Sequence, residues 1–167
     1  MKNVVLIGMP GSGKSTVGVL LAKVLGFGFL DSDLLIQKRE GRLLSQVIQQ
    51  EGIDGFIRIE EEVNAGIEER ETVIATGGSV IYGARAMEHL RAIGTIVYLS
   101  LPLEELRERL GNLKCRGVVL REGQTLEELY EQRVPLYERY ADLKVDETGL
   151  DVEQTLERLV KALERRP

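Results

Sequence analysis

Gly8-Met9-Pro10-Gly11-Ser12-Gly13-Lys14-Ser15 matches G-x-x-x-x-G-K-[ST], and no other run constrains the fold of this chain as strongly. An apolar, β-branched stretch at residues 4–7 leads into it. A helical pattern follows at Val17, Leu20, Leu21, Val24 and Leu25, with Gly26 placed to stop it. A strand that runs through such a loop into a helix is the context the motif requires. Gly11 and Gly13 lack a Cβ, so backbone N–H groups there can turn inward and cradle phosphate oxygens at a helix N-terminus. Lys14 brings a point charge to the β- and γ-phosphates, and Ser15 offers a hydroxyl to Mg²⁺. Gly11, Ser12, Gly13, Lys14, Ser15 and Thr16 are therefore the expected nucleotide-binding residues. The plain alternative is a glycine-rich turn with an exposed lysine, and the flanking strand and helix weigh against it.

The rest of the chain keeps the same alternation. Residues 28–30, 72–75 and 95–99 read as strands, with 143–145 a weaker fifth. Pro102 is placed to begin a helix through Leu103, Leu106 and Leu110, and Val152, Leu156, Leu159, Val160 and Leu163 form the stripe of a last helix. Strands alternating with helices imply right-handed crossovers and a five-stranded parallel sheet covered on both faces, a three-layer α/β/α fold. Two regions break the rhythm. Residues 33–70 are helical in pattern with no strand inside, too much for one crossover. Residues 111–124 hold Gly111, Gly117 and Gly123 with Lys114, Arg116 and Arg121, and lack a clear period. Thr125 and Glu128 then form a capping-box pair that restarts a helix. An extra helical insert and a long basic loop are candidate functional additions to a plain α/β core.

Composition bounds what such a fold can do. At 167 residues the chain is expected to be a single domain, residues 1–167. Its 22 basic and 27 acidic residues leave a net charge of −5, which argues against a nucleic-acid partner. No apolar run approaches the ~18 residues of a membrane span. No basic leader with a small-residue cleavage site is found, so a cytoplasmic protein is expected. With Cys115 the one cysteine and His89 the one histidine, a disulfide framework and a Cys/His zinc site are both excluded within the chain. The expected partner is a small molecule, and the expected state a monomer.

Leu30-Asp31-Ser32-Asp33 closes the second predicted strand. Carboxylates at i and i+2 of a strand share one face, and at its C-terminal end they can point at a nucleotide. An aspartate there also suits the N-cap of a following helix, a role open to Asp33. Taken with residues 8–16, with Gly77-Gly78, with Arg116 and with Arg133-Val134-Pro135-Leu136-Tyr137, the sequence resembles the shikimate kinases over essentially its full length. These belong to the nucleoside-monophosphate-kinase-like P-loop group. The resemblance implies an ATP-dependent kinase that phosphorylates the 3-hydroxyl of shikimate in aromatic amino-acid biosynthesis, with ATP and Mg²⁺ bound. It implies Asp31 with Ser15 around the metal, Asp33 on the acceptor hydroxyls, and Gly77 and Gly78 lining the acceptor pocket. Arg133 is implied at the acceptor carboxylate, Arg116 as a lid arginine over the phosphates, and Arg109 along the adenine. Lys14, Asp33 and Arg116 are then the expected catalytic residues. Residues 33–70 become an acceptor-binding insert and 111–124 a lid. Singly, Gly77-Gly78 reads as a turn, Arg133 as a surface residue between Glu131 and Glu138, and Arg116 as a solvated loop charge. Their order and spacing together favour function.

The sequence departs from the family pattern at three places. The usual Phe-Arg-x-x-Glu, whose arginine is a second carboxylate clamp, is here Phe56-Ile57-Arg58-Ile59-Glu60. Arg58 sits one residue on, rotated ~100° around a helix, and can pair with Glu61 or Glu62. The family's third glycine is Ser79, and the proline after the lid arginine is Gly117. Loss of one charge-assisted hydrogen bond costs ~1.5–3 kcal/mol. That leaves two further readings: a kinase of another polyol or hydroxy acid, of the gluconate-kinase kind, and an ATP-binding regulatory protein on a kinase scaffold.

Overall fold

The protein is described by a computed structural model covering residues 2–111 and 121–166. Five strands form one parallel sheet: β1 (Asn3–Ile7), β2 (Gly28–Asp31), β3 (Thr72–Ala75), β4 (Gly94–Ser100) and β5 (Leu143–Asp146), in the order β2-β3-β1-β4-β5. Each expected strand is present; β3 keeps the expected bounds and the other four are longer by one or two residues. β1 and β3 are buried along their whole length, because helices cover both faces of the sheet. Residues of β1 alternate between two cores. Val4 and Leu6 pack with Val17 and Leu21 of α1 (Lys14–Leu25) and Leu159 of α7 (Val152–Glu164). Val5 and Ile7 face Met87 and Leu90 of α4 (Ala84–Ile93), Leu106 of α5 (Leu103–Leu110) and Tyr137 of α6 (Leu126–Tyr140).

The topology decides where a ligand can sit. From β1 the chain runs to the edge strand β2 and returns to β3, then passes β1 to reach β4 on its other side. Connections thus part in opposite directions beside the carboxyl end of β1, and such a switch point opens a crevice. The glycine-rich loop begins there.

The helical insert consists of α2 (Ser32–Glu40) and α3 (Leu44–Ala65). Ile36, Val47, Phe56 and Val63 give it a small apolar cluster of its own. Gly52 (φ 73, ψ 173) interrupts α3, a bend that its continuous helical pattern did not reveal. Two local expectations are corrected. β2 ends at Asp31 and α2 starts at Ser32, so Asp31 and Asp33 do not share a strand face, and the N-cap is Asp31 rather than Asp33. Thr125 accepts from the Glu128 N–H at 3.1 Å, but the reciprocal half of that capping box is not made. A complete box closes α7 instead, between Asp151 and Gln154. No helix among the described residues is long and apolar enough to cross a membrane.

Candidate active site

The loop after β1 folds as its glycines dictate. Gly11 and Gly13 take φ 82 and 85, and Gly13 is the N-cap of α1. An L-residue with a side chain resists that left-handed conformation. Lys14 opens the helix with its side chain turned back over the loop. Its Nζ donates to the carbonyls of Gly8 and Met9, both at 2.9 Å, and the residue is only 8% exposed. Burial pulls the ammonium down to about 8, against the opposing pull of the Asp33 carboxylate. The two carbonyls, with Ser12 Oγ at 3.4 Å, hold at the cleft a cation ready for a stronger anion.

Ser15 Oγ donates to Asp31 Oδ2 at 2.7 Å. The other oxygen of Asp31 accepts from the backbone N–H groups of Asp33 and Leu34 at 2.9 and 3.3 Å, capping α2. One carboxylate therefore joins the end of β2 to the start of α1. A serine hydroxyl beside a carboxylate is a hard oxygen donor set, which suits Mg²⁺ when phosphate oxygens and water complete its shell. Among the described residues no group of three acidic, His or Cys side chains can hold a metal alone.

A cleft of about 370 Å³ joins this loop to the insert and to α6. Lys14, Ser15, Thr16, Asp33, Gly77, Gly78 and Arg133 all line it, together with Phe56, Glu60 and Ser79. Asp33 turns its carboxyl into the cleft, with Oδ1 buried and without a hydrogen-bond partner. Burial, and then the nearby Asp31 charge, push Asp33 up to about 6. A carboxyl poised near neutrality can both accept a hydrogen bond from a hydroxyl and take its proton. Arg133 is no surface residue. It is 1% exposed, with its guanidinium 5.5 Å from the Tyr82 ring. Arg133 and Tyr137, one helical turn apart, share a face of α6. Tyr137 anchors that face by donating to the Gly78 carbonyl at 2.5 Å and stacking on Tyr98. Gly77 and Gly78 are glycines because the site closes on them. A Cβ on Gly77 would stand 2.7 Å from Asp33 Oδ1, and one on Gly78 2.9 Å from Arg133 Nη1.

On the far side of the loop, Arg109 reaches toward the carbonyls of Gly11 and Ser12 at 3.5 and 3.4 Å. It lines a second cleft with Gly13, Thr16 and Glu147. Glu147 was not anticipated from the sequence. Burial raises it to about 7, partly offset by Arg109 and Lys14. Glu60 had been matched to the family pattern without a role. Its one available signal was its place a turn after Phe56, where an amphipathic helix should be apolar. Ile57 is half-buried and borders a pocket of about 120 Å³ with Tyr82, Arg121 and Arg133. Arg58 points away and is exposed. Its expected partners are engaged elsewhere, Glu62 with Arg39 at 2.7 Å and Glu61 with the Arg85 N–H at 3.3 Å. Arg116 and Gly117, with most of the expected lid, lie outside the described residues.

Comparison with known proteins bears on this arrangement. The family model described as shikimate kinase matches residues 10–164. A shikimate kinase from Thermodesulfovibrio yellowstonii is 39% identical over 168 residues, covering 99% of this chain and 96% of the relative. Among solved structures, shikimate kinase from Acinetobacter baumannii in complex with shikimate superposes with a TM-score of 0.90 at 32% identity, over 98% of this chain and 93% of that one. Shikimate kinase from Aquifex aeolicus gives a TM-score of 0.84 at 34% identity, over 97% and 96% of the two chains.

Proposed function

The chain belongs to the shikimate kinase family, and from that premise we propose that it transfers the γ-phosphoryl group of ATP to the 3-hydroxyl of shikimate. The observation that carries this reading is the single cleft in which Lys14 and Ser15 of the phosphate-binding loop face Asp33 and Arg133. A phosphoryl donor and a carboxylate-bearing acceptor each find their complementary charge there. The acceptor oxygen attacks the γ-phosphorus as the bond to the bridging oxygen breaks, and ADP leaves. Asp33 orients the attacking hydroxyl and takes its proton. Lys14 exchanges its carbonyl partners for the phosphate oxygens, where its charge counts most as negative charge shifts in the transition state. Ser15 and Asp31 would hold Mg²⁺, which when bound would neutralise charge on the phosphates. Gly11, Ser12, Gly13 and Thr16 contact the phosphates, and Arg109 lies along the adenine.

Arg133 grips the acceptor carboxylate, with Gly77 and Gly78 lining that side. Residues 33–70 serve as the acceptor-binding insert. Residues 111–124 serve as the lid, with Arg116 brought over the phosphates to exclude water. We read the protein as a cytoplasmic monomer acting on small molecules. The deciding experiment is ADP release by the purified protein with and without shikimate, with the phosphorylated product identified by mass spectrometry. Shikimate-dependent ADP release supports the reading, and its absence at saturating acceptor overturns it. One observation favours a second reading. Ile57 puts an apolar side chain beside Arg133, as an acceptor with less negative charge would require. A panel of other polyols and hydroxy acids in the same assay separates the two. ATP binding without turnover of any acceptor would point instead to a regulatory protein on a kinase scaffold.

A further inference from the structure

Glu60 occupies a core position of α3, 1% exposed and one turn after the equally buried Phe56. An ionised carboxylate in such a place needs a cation in contact or several donors. What Glu60 has is one neutral donor, the Ser79 hydroxyl, 2.6 Å from Oε1. Its Oε2 is buried and without a hydrogen-bond partner. The charged groups facing it are Asp33 from α2, Arg133 from α6 and Lys14 from α1. Lys14 is already committed to the loop carbonyls. A Cβ on Gly77 would lie 2.7 Å from both Glu60 Oε2 and Asp33 Oδ1, so two acceptor oxygens border one space that glycine keeps open. Two bare carboxylate oxygens around one space repel each other unless one carries a proton or a ligand places a donor between them.

Position 57 completes the pattern. It precedes Glu60 by three residues, on the same face of α3, and an arginine there would ionise Glu60. Isoleucine leaves the carboxyl without that partner, and burial raises Glu60 to about 8.

We propose that Glu60 binds the acceptor as a neutral acid: Ser79 holds it through Oε1, and Oε2–H donates to an acceptor oxygen lodged beside Asp33. The inference rests on the kinase reading above. Ser79 is then a positioning residue that acts through Glu60. The two departures at positions 57 and 79 become one linked exchange, in which a hydroxyl supplies the anchoring bond and an apolar neighbour preserves the proton. As pH rises through about 8, Glu60 ionises. It then loses its donor and sets a second negative charge against Asp33, so acceptor affinity falls.

The test measures kcat and KM for shikimate by ADP release from about pH 6 to about pH 9.5, and calorimetric shikimate binding without nucleotide over the same range. In the wild type, KM and the dissociation constant should climb toward about ten-fold per pH unit above the Glu60 transition, while kcat, measured with ATP phosphates holding Lys14 charged, moves far less. Glu60→Ala should raise KM about ten-fold or more, and Glu60→Gln, which keeps a donor at that atom, should recover most of the loss and abolish the alkaline limb. Ser79→Ala should raise KM and move the limb to higher pH, because the hydroxyl's bond favours the ionised carboxyl. If Glu60→Ala does not fold, the other two variants decide. A wild type that turns over shikimate with a flat alkaline profile overturns the proposal, as does a Glu60→Gln variant that keeps the limb. A wild type with no shikimate-dependent ADP release overturns the kinase reading itself, and does so before any variant is compared.

Discussion

Ser15 and Asp31 stand 16 residues apart in sequence and share a hydrogen bond of 2.7 Å between Oγ and Oδ2. The same aspartate caps α2 with its other oxygen, so one side chain fixes the phosphate-binding loop, the end of β2 and the start of the insert relative to each other. The proposed metal site is thereby built on rigid elements.

Chelation should stop the reaction. EDTA is expected to abolish ADP release and Mg²⁺ to restore it, since two oxygen donors plus phosphates suit magnesium rather than zinc. Asp31→Ala should also lower thermal stability, by about 0.5–2 kcal/mol for the lost cap. Asp31→Asn keeps the capping oxygen and should recover the stability without the turnover. Full activity in chelator would remove Mg²⁺ from the mechanism.

Lys14→Ala should lower kcat about a hundred-fold or more, because the lost charge acts mainly as the phosphoryl group transfers. Circular dichroism should show the fold intact, as the freed carbonyls of Gly8 and Met9 lie where water can replace the ammonium. Near-normal turnover would exclude this loop from the chemistry.

Arg133→Ala should abolish acceptor saturation while ATP affinity changes little, if Arg133, which lines the cleft, holds the acceptor carboxylate as proposed. Arg133→Lys should rescue only a part, since an ammonium cannot reproduce a bidentate grip on a carboxylate. Equal loss of ATP and shikimate binding, measured by calorimetry, would point to a collapsed site instead.

Ile57→Arg should add one charge-assisted hydrogen bond, about ten-fold in KM for shikimate. It also ionises Glu60 and removes that donor, so the net fall in KM should be smaller than that and the alkaline rise of KM should disappear. The adjoining pocket of about 120 Å³ offers room for a guanidinium beside Arg133. Arg58→Ala should leave KM unchanged, because Arg58 faces solvent. A sharp rise of KM in Arg58→Ala would mean that α3 shifts on binding. A worsened native reaction in Ile57→Arg would favour an uncharged acceptor.

Stability should depend on pH through Glu60. Its folded value of about 8 lies above its ordinary 4.5, so the folded state binds the proton more tightly than the unfolded chain. This contribution is fully present below about pH 4.5 and is lost as pH rises toward about 8. Glu60→Gln, neutral at every pH, should therefore gain stability over wild type across that window, on the order of a few kcal/mol by its alkaline end. Urea melts at several pH values check it, and a constant difference between the two proteins would contradict it.

The loop at residues 8–15, the five strands, and the helices α1, α5 and α7 were legible in the sequence because their signals are local. A β-branched run, a glycine where φ must be positive, and an apolar stripe at helical spacing act within a few neighbouring residues. The parallel sense of the sheet and its cover on both faces followed from the alternation of strands and helices, whereas the strand order came from the tertiary structure alone. Arg133 and Glu60 were different. Each sits in a charged helix, and its burial depends on elements far away in sequence: Gly78, Tyr82 and Pro10 for the one, Ser79 and Asp33 for the other. The exchange of cap from Asp33 to Asp31 has the same origin, since the end of β2 is set by its pairing with Ala75 rather than by its own residues. Spacing placed Ile57 at the family's arginine position and Arg58 about 100° away. Only the packing of α3 against α4 and the turn after β3 decided which of them borders the site. The sequence by itself determined that this chain carries a phosphate-binding motif at the head of a parallel sheet. The tertiary structure decided which charges are stripped of water beside it, because desolvation is a property of everything that surrounds a group and not of the group's neighbours along the chain.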